Sequence, residues 1–150
     1  MDAEVYPDSR VESFIHQNFV PVKIHIKEQP QLFERFGAQW TPTIQVLDAE
    51  GNKRHQFEGF LPADDFLAQL RIATAHAAFA RQQWDEAERL FSSVAEELPE
   101  SDSAPEALYW AGVARYKRTG DASALGQTAE QFKRRYTQST WAKKASVWAA

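Results

Sequence analysis

Backbone punctuation divides this chain before any other feature does. Gly37, Gly51 and Gly59 together with Pro7, Pro21, Pro30, Pro42 and Pro62 crowd the first 62 residues, and no glycine or proline then appears until Pro99. Glycine and proline end helices and set turns, so the front has to be built from short elements and the rear can run in long helices. With 150 residues, 43% of them hydrophobic, there is apolar material for one ordinary domain or two small ones. The punctuation favours two architectures, an α/β front and an all-α rear.

In the front, Ser9 followed by Glu12 reads as a capping box opening a short helix with Val11, Phe14 and Ile15 inward. Val20, Val22, Ile24 and Ile26 alternate with Pro21, Lys23 and His25, which predicts a strand with one weak side at Pro21. Gln31 to Phe36 predicts a helical turn closed by Gly37, and Thr43 to Leu47 a second strand with Ile44 and Val46 inward. Asp48-Ala49-Glu50-Gly51-Asn52 is a hairpin turn that returns the chain antiparallel along Lys53 to Glu58. Pro62 sits where a first-turn helical proline belongs, and one uninterrupted helix is expected from there to about residue 82, joining both halves so that they move together.

Beyond it the spacing is helical. Trp84, Ala87, Leu90, Phe91, Val94 and Leu98 step along one face, as do Leu125, Ala129, Phe132 and Tyr136. Ala104, Glu106, Ala107 and Trp110 are echoed 38 residues later by Ala142, Lys144, Ala145 and Trp148, a period that signals stacked helix pairs.

Composition narrows function. There is no cysteine, so this polypeptide supplies no disulfide, no thiolate ligand and no cysteine nucleophile. Residues 1–70 hold 6 Lys+Arg against 11 Asp+Glu, and residues 71–150 hold 11 against 10, a balance that argues against nucleic acid as a partner. No window approaches about 18 apolar residues and Met1 opens onto Asp2 and Glu4, so neither a membrane span nor a leader is expected, and the chain as written reads as cytoplasmic.

The run Met1 to Asp8, then Val11 and Phe19-Val20-Pro21-Val22-Lys23, resembles the stretch after the Cys-x-x-Cys motif in thioredoxin-like proteins of the thiol-disulfide type. Trp40-Thr41-Pro42-Thr43 resembles their cis-proline loop, and Asp48 to Gly51 with Phe57-Glu58-Gly59-Phe60 their closing hairpin and last helix entry. The resemblance covers residues 1–70 and implies an incomplete thioredoxin-like fold, beginning after the active-site motif and lacking its N-terminal strands. It implies a thiol-disulfide oxidoreductase whose redox-active Cys-x-x-Cys or selenocysteine motif is missing here, so that the chain is inert as written. A fragment, a misassigned start codon and an upstream selenocysteine codon all stay open as reasons. It also implies a cis Pro42, with the Thr41 backbone pairing with an extended substrate peptide beside Trp40. The strand missing between Val20–Ile26 and Thr43–Leu47 should leave these two apart or force them together, so that the isolated chain is expected to aggregate, self-associate through exposed strand edges or rearrange, and to be stabilised by the missing segment.

Gln83-Trp84-Asp85-Glu86-Ala87 with Leu90-Phe91, and Ala104-Pro105-Glu106-Ala107-Leu108-Tyr109-Trp110-Ala111-Gly112, resemble tetratricopeptide repeats, with a departure from that pattern at Asp121 to Gly126. The expected organisation is a partial thioredoxin-like domain over 1–72 and tetratricopeptide-like helical repeats over 73–150. The alternative to an oxidoreductase remnant is a non-catalytic module that binds a protein or peptide through those helices.

Other candidates have plainer readings. His16, His25, His55 and His76 show no ligand spacing, so no metal and no cofactor is implied, and His25 and His55 are expected in solvent. Asp64-Asp65 suits a helix N-terminus, and Lys133-Arg134-Arg135 a solvated helix face. Trp84, Tyr109, Trp110, Phe132, Trp141 and Trp148 read as helix-packing residues, or as partner anchors where exposed.

Overall fold

Ten residues that can each bond within their own segment make the first element. In the computed structural model, which describes residues 1–149, helix α1 spans Ser9–Asn18. Its cap is Asp8, whose carboxylate accepts from the Arg10 N–H at 2.9 Å, so the expected cap at Ser9 moves back by one. Aspartate is as good a cap as serine, and here it also holds the Arg10 guanidinium. Val11 is fully buried on the inner face, with Phe14 and Ile15 half-buried beside it.

The next segment departs most from expectation. Val20–Ile26 forms no strand, and Val20 and Val22 are 91% and 78% exposed. Alternating side chains suit a pleated surface, but a strand exists only when its N–H and C=O groups meet a second strand. Residues 20–24 have no such partner among the described residues. Helix α2 (Pro30–Arg35) begins on a proline, and Gly37 comes after it at φ +66°. Strands β1 (Thr43–Leu47) and β2 (Lys53–Glu58) form an antiparallel two-stranded sheet with Ile44 opposite Phe57 and Val46 opposite His55. One irregularity lies between Val46 and Leu47, next to a turn in which Gly51 takes φ +84°. Val46 is buried, and Phe57 meets Phe66 edge-on at 5.4 Å, with Tyr6 on Phe66 at 5.7 Å.

Helix α3 runs unbroken over Ala63–Ala80. Its first turn starts at Pro62, whose carbonyl accepts from Phe66, and it stops two residues short of the expected end because Gln82 turns left-handed at φ +60°. The chain divides into two compact units, Met1–Leu67 and Ala68–Ala150.

The second unit is helical. Helix α4 spans Trp84–Glu97, α5 Ala104–Thr119, α6 Ser123–Arg134 and α7 Thr140–Ala145, with a 3₁₀ turn after it at Ser146–Trp148. Ala87, Leu90, Phe91 and Val94 along α4 and Leu98 just after it are buried, as the spacing predicts, while Trp84 at the helix start is half-buried. On α6 the buried set is Ala124, Thr128, Ala129 and Phe132, while Leu125 is only half-buried and Tyr136 lies past the helix end. Tyr136 sits at φ +54° and donates its hydroxyl to the Pro99 carbonyl at 2.7 Å. Gly112 of α5 lies against Thr128 of α6 so closely that any Cβ there would overlap the threonine side chain. The echo of Ala104–Trp110 at Ala142–Trp148 falls on a helix of 6 residues and a 3₁₀ turn, where α5 has 16, so the two copies are not equal structures.

Candidate functional site

Strand β1 has two edges, and only one is used. Gly59 N–H donates to the Pro42 carbonyl at 2.8 Å and Asp48 N–H to the Asn52 carbonyl at 2.9 Å. In an antiparallel pair the bonding residues alternate, so Pro42, Ile44, Val46 and Asp48 face β2. Thr41, Thr43, Gln45 and Leu47 therefore point their backbone groups to the other side. No strand lies on that side among the described residues.

The sequence-predicted site opens this free edge. Trp40 is 66% exposed, Thr41 is exposed and Pro42 is half-buried, and the Thr41–Pro42 peptide bond is cis. The Thr43 hydroxyl donates to the Trp40 carbonyl at 2.6 Å and fixes the turn before the strand. Gln45 braces it from the other end, its amide donating to the Phe36 carbonyl at 2.8 Å and to Gln56 Oε1 at 2.9 Å. Trp40, Thr41 and Pro42 thus stand together, with a bare backbone row leading from them and an indole in water. The loop can bond to an extended chain through its main chain and cover apolar groups with Trp40. Thr43 is not among the sequence-predicted site residues, though a threonine three positions after Trp40 is the signal of such a turn.

The remaining candidates scatter. Asp64 pairs with Arg10 at 2.7 Å, and the same guanidinium holds Asp8, so Asp64 is bound up in fastening α1 to the start of α3. His16 faces Glu12 at 3.9 Å, His25 is exposed, and His55 is half-buried with its ring 5.9 Å from Phe57 instead of lying in solvent. His76 is packed edge-on against Phe91 and Trp110 at 5.0 and 5.3 Å, with Glu106 Oε1 at 3.4 Å. Among the described residues no three His, Asp or Glu side chains gather as a metal would need.

The basic run comes apart as well. Lys133 pairs with Glu130, and Arg135 turns inward to the Ala95 carbonyl at 2.8 Å and the Tyr136 hydroxyl. The rear aromatics lean on each other: Tyr109 stacks on Trp148 at 4.6 Å and touches Trp141 at 5.2 Å, while Trp110 meets Phe79 at 5.4 Å. They are half-buried and serve packing. Among the described residues no helix is long and apolar enough to cross a membrane.

No curated protein and no solved structure matches this chain. The family described as the thioredoxin-like domain matches residues 1–74. From Met1 through the free β1 edge and into α3, the front stretch of this chain is similar to the thioredoxin-like domain.

Proposed function

We propose that this chain holds an extended polypeptide at the Trp40-Thr41-Pro42 loop, in the manner of the substrate loop of thioredoxin-like oxidoreductases, and supplies no thiol chemistry of its own. The observation that carries it is the Thr41 main chain standing unpaired at the head of a free strand edge beside an exposed Trp40. Adding a strand there gives affinity through backbone bonds, and the indole adds apolar contact. Thiol-disulfide exchange begins with a thiolate, and none of the 150 residues is a cysteine. The α4–α5 and α6–α7 pairs, which we read as tetratricopeptide-like, carry the same partner class in a second reading, but their rings are spent on one another.

Two measurements test the proposal. An insulin-reduction assay with dithiothreitol should give no turnover above the buffer blank. An unstructured peptide with alternating apolar residues should shift the Thr41 and Thr43 amide resonances, with Trp40→Ala weakening binding severalfold. Turnover, or binding that leaves those amides unmoved, overturns it.

A further inference from the structure

A free strand edge and an unpaired strand-like segment occur in the same chain, and we propose that they answer each other between two copies: Val20–Ile26 of one copy adds to β1 of the other, reciprocally, giving a closed twofold dimer. The inference shares the β1 edge with the peptide reading but does not rest on it.

Backbone supply and demand match on the two sides. The edge offers the main-chain groups of Thr43, Gln45 and Leu47, and residues 20–24 have no backbone partner among the described residues. Pro21 has no N–H, so the segment has to pair through Val20, Val22, Ile24 and Ile26 and turn Pro21, Lys23 and His25 outward. In a parallel pair the residue that bonds sits beside a partner residue that faces the other way, with both side chains on one face. Parallel addition therefore sets Val22 and Ile24 on the face of Ile44 and Val46, and Lys23 on that of Thr43 and Gln45. Antiparallel addition with the same Pro21 constraint places the valines among the polar residues. Apolar matching selects the parallel arrangement.

Charge selects the occupant. β1 has no charged residue between Thr43 and Leu47, so Lys23 meets nothing of its own sign there. β2 carries Lys53 and Arg54, the kind of edge that turns away a strand bearing lysine. Antiparallel pairing of Val20–Ile26 with its own copy, centred on Lys23, would place the two lysines directly opposite each other. Exchange between β1 and the segment avoids both clashes, and where each copy receives the segment of the copy to which it gives its own, the assembly closes at two.

Sedimentation velocity on the whole chain over a range of concentrations should show a monomer–dimer equilibrium. Val22→Lys should weaken it about tenfold or more, a loss of about 1.4 kcal/mol, without lowering the melting temperature at low concentration, since Val22 is exposed in the single chain. The absence of cysteine leaves a clean background for a second readout. A Lys23→Cys chain mixed with a Thr43→Cys chain, whose side chains share one face in the parallel arrangement, should give a mixed covalent dimer with a short bis-maleimide. A monomer at every concentration, growth beyond two copies, or cross-linking of Lys23→Cys only to itself overturns the proposal. Trp40→Ala separates it from peptide binding, because that change should leave the dimer intact.

Discussion

The unit Met1–Leu67 leaves large apolar groups in water, while Ala68–Ala150 buries nearly all of its own. Val20, Val22, Ile26, Trp40 and Phe60 are exposed in the first; in the second, Tyr116 and Val147 are the exposed large apolar residues among those described. The difference is one of hydrogen-bond range. A helix meets its backbone needs within four residues and then has only to hide one face, which α4, α5 and α6 do with small residues at their contacts. A strand needs a partner along its whole length. Where one is lacking, as at Val20–Ile26, apolar alternation produces exposed extended chain and not a sheet.

The sharpest way to break this contrast is to truncate one fully buried side chain in each core. Phe91→Ala empties a fully buried site between His76 and Trp110 and should cost about 3–5 kcal/mol. Val11→Ala, at an equally buried site on α1, removes two methyl groups and should cost about 1–2 kcal/mol. Urea midpoints with unchanged slopes give both numbers. Equal losses would show that the rear core is no more tightly built than the front. A smaller effect than at Phe91 is expected at the α5–α6 contact. Gly112→Ala pushes a methyl group into Thr128, whose Cβ would lie only 2.8 Å away, for about 1–3 kcal/mol. Thr128→Ala in the same chain should recover part of that, and the absence of any recovery would locate the damage elsewhere.

The same difference in range decides what can be read from the residues alone. The face of α4 is legible to the residue, because Ala87, Leu90, Phe91 and Val94 come from the 3.6-residue period without knowledge of any neighbour. β1, β2 and their turn are legible because the hairpin supplies the partner a few residues away, marked by Asp48 and Gly51. Val20–Ile26 misleads because its pattern carries no information about whether another strand is present. The site is legible as a place, Trp40-Thr41-Pro42, since the loop precedes a recognisable strand. Its open side is not legible, because which edge of β1 is covered depends on the whole sheet. The Arg10 clamp on Asp8 and Asp64 is hidden too, the second partner being 54 positions away.

Helix α1 gives the next effect in size. Asp8→Ala removes the acceptor for the Arg10 N–H and one of the two carboxylates on its guanidinium, for about 1 kcal/mol. Asp8→Asn keeps the capping oxygen and should cost clearly less. Circular dichroism melts of the three chains separate capping from charge: equal losses would assign the whole effect to the ion pair, which is exposed and worth little on its own.

The smallest expected effect is at the β1–β2 turn, and it depends on pH. The Asp48 carboxylate accepts from the N–H groups of Glu50 and Asn52 at 3.0 and 2.8 Å, from the Asn52 side chain at 3.1 Å and from Arg54 at 2.7 Å. Burial pushes its pKa up, but the Asn52 backbone and side chain and the Arg54 guanidinium outweigh that and bring it down from the ordinary 3.8 to about 2. The unfolded chain then takes up this proton before the folded one does. The turn's contribution is therefore complete above about pH 4 and fades as pH falls from there towards 2. A carbon-detected NMR titration of Asp48 should give a midpoint well under 3.8, and Asp48→Asn should lower stability at neutral pH by an amount that shrinks on acidification. If Asp48 titrates near its ordinary value, the turn is not held by its carboxylate. The sheet edge that the turn aligns would then depend on the Ile44, Val46 and Phe57 face alone.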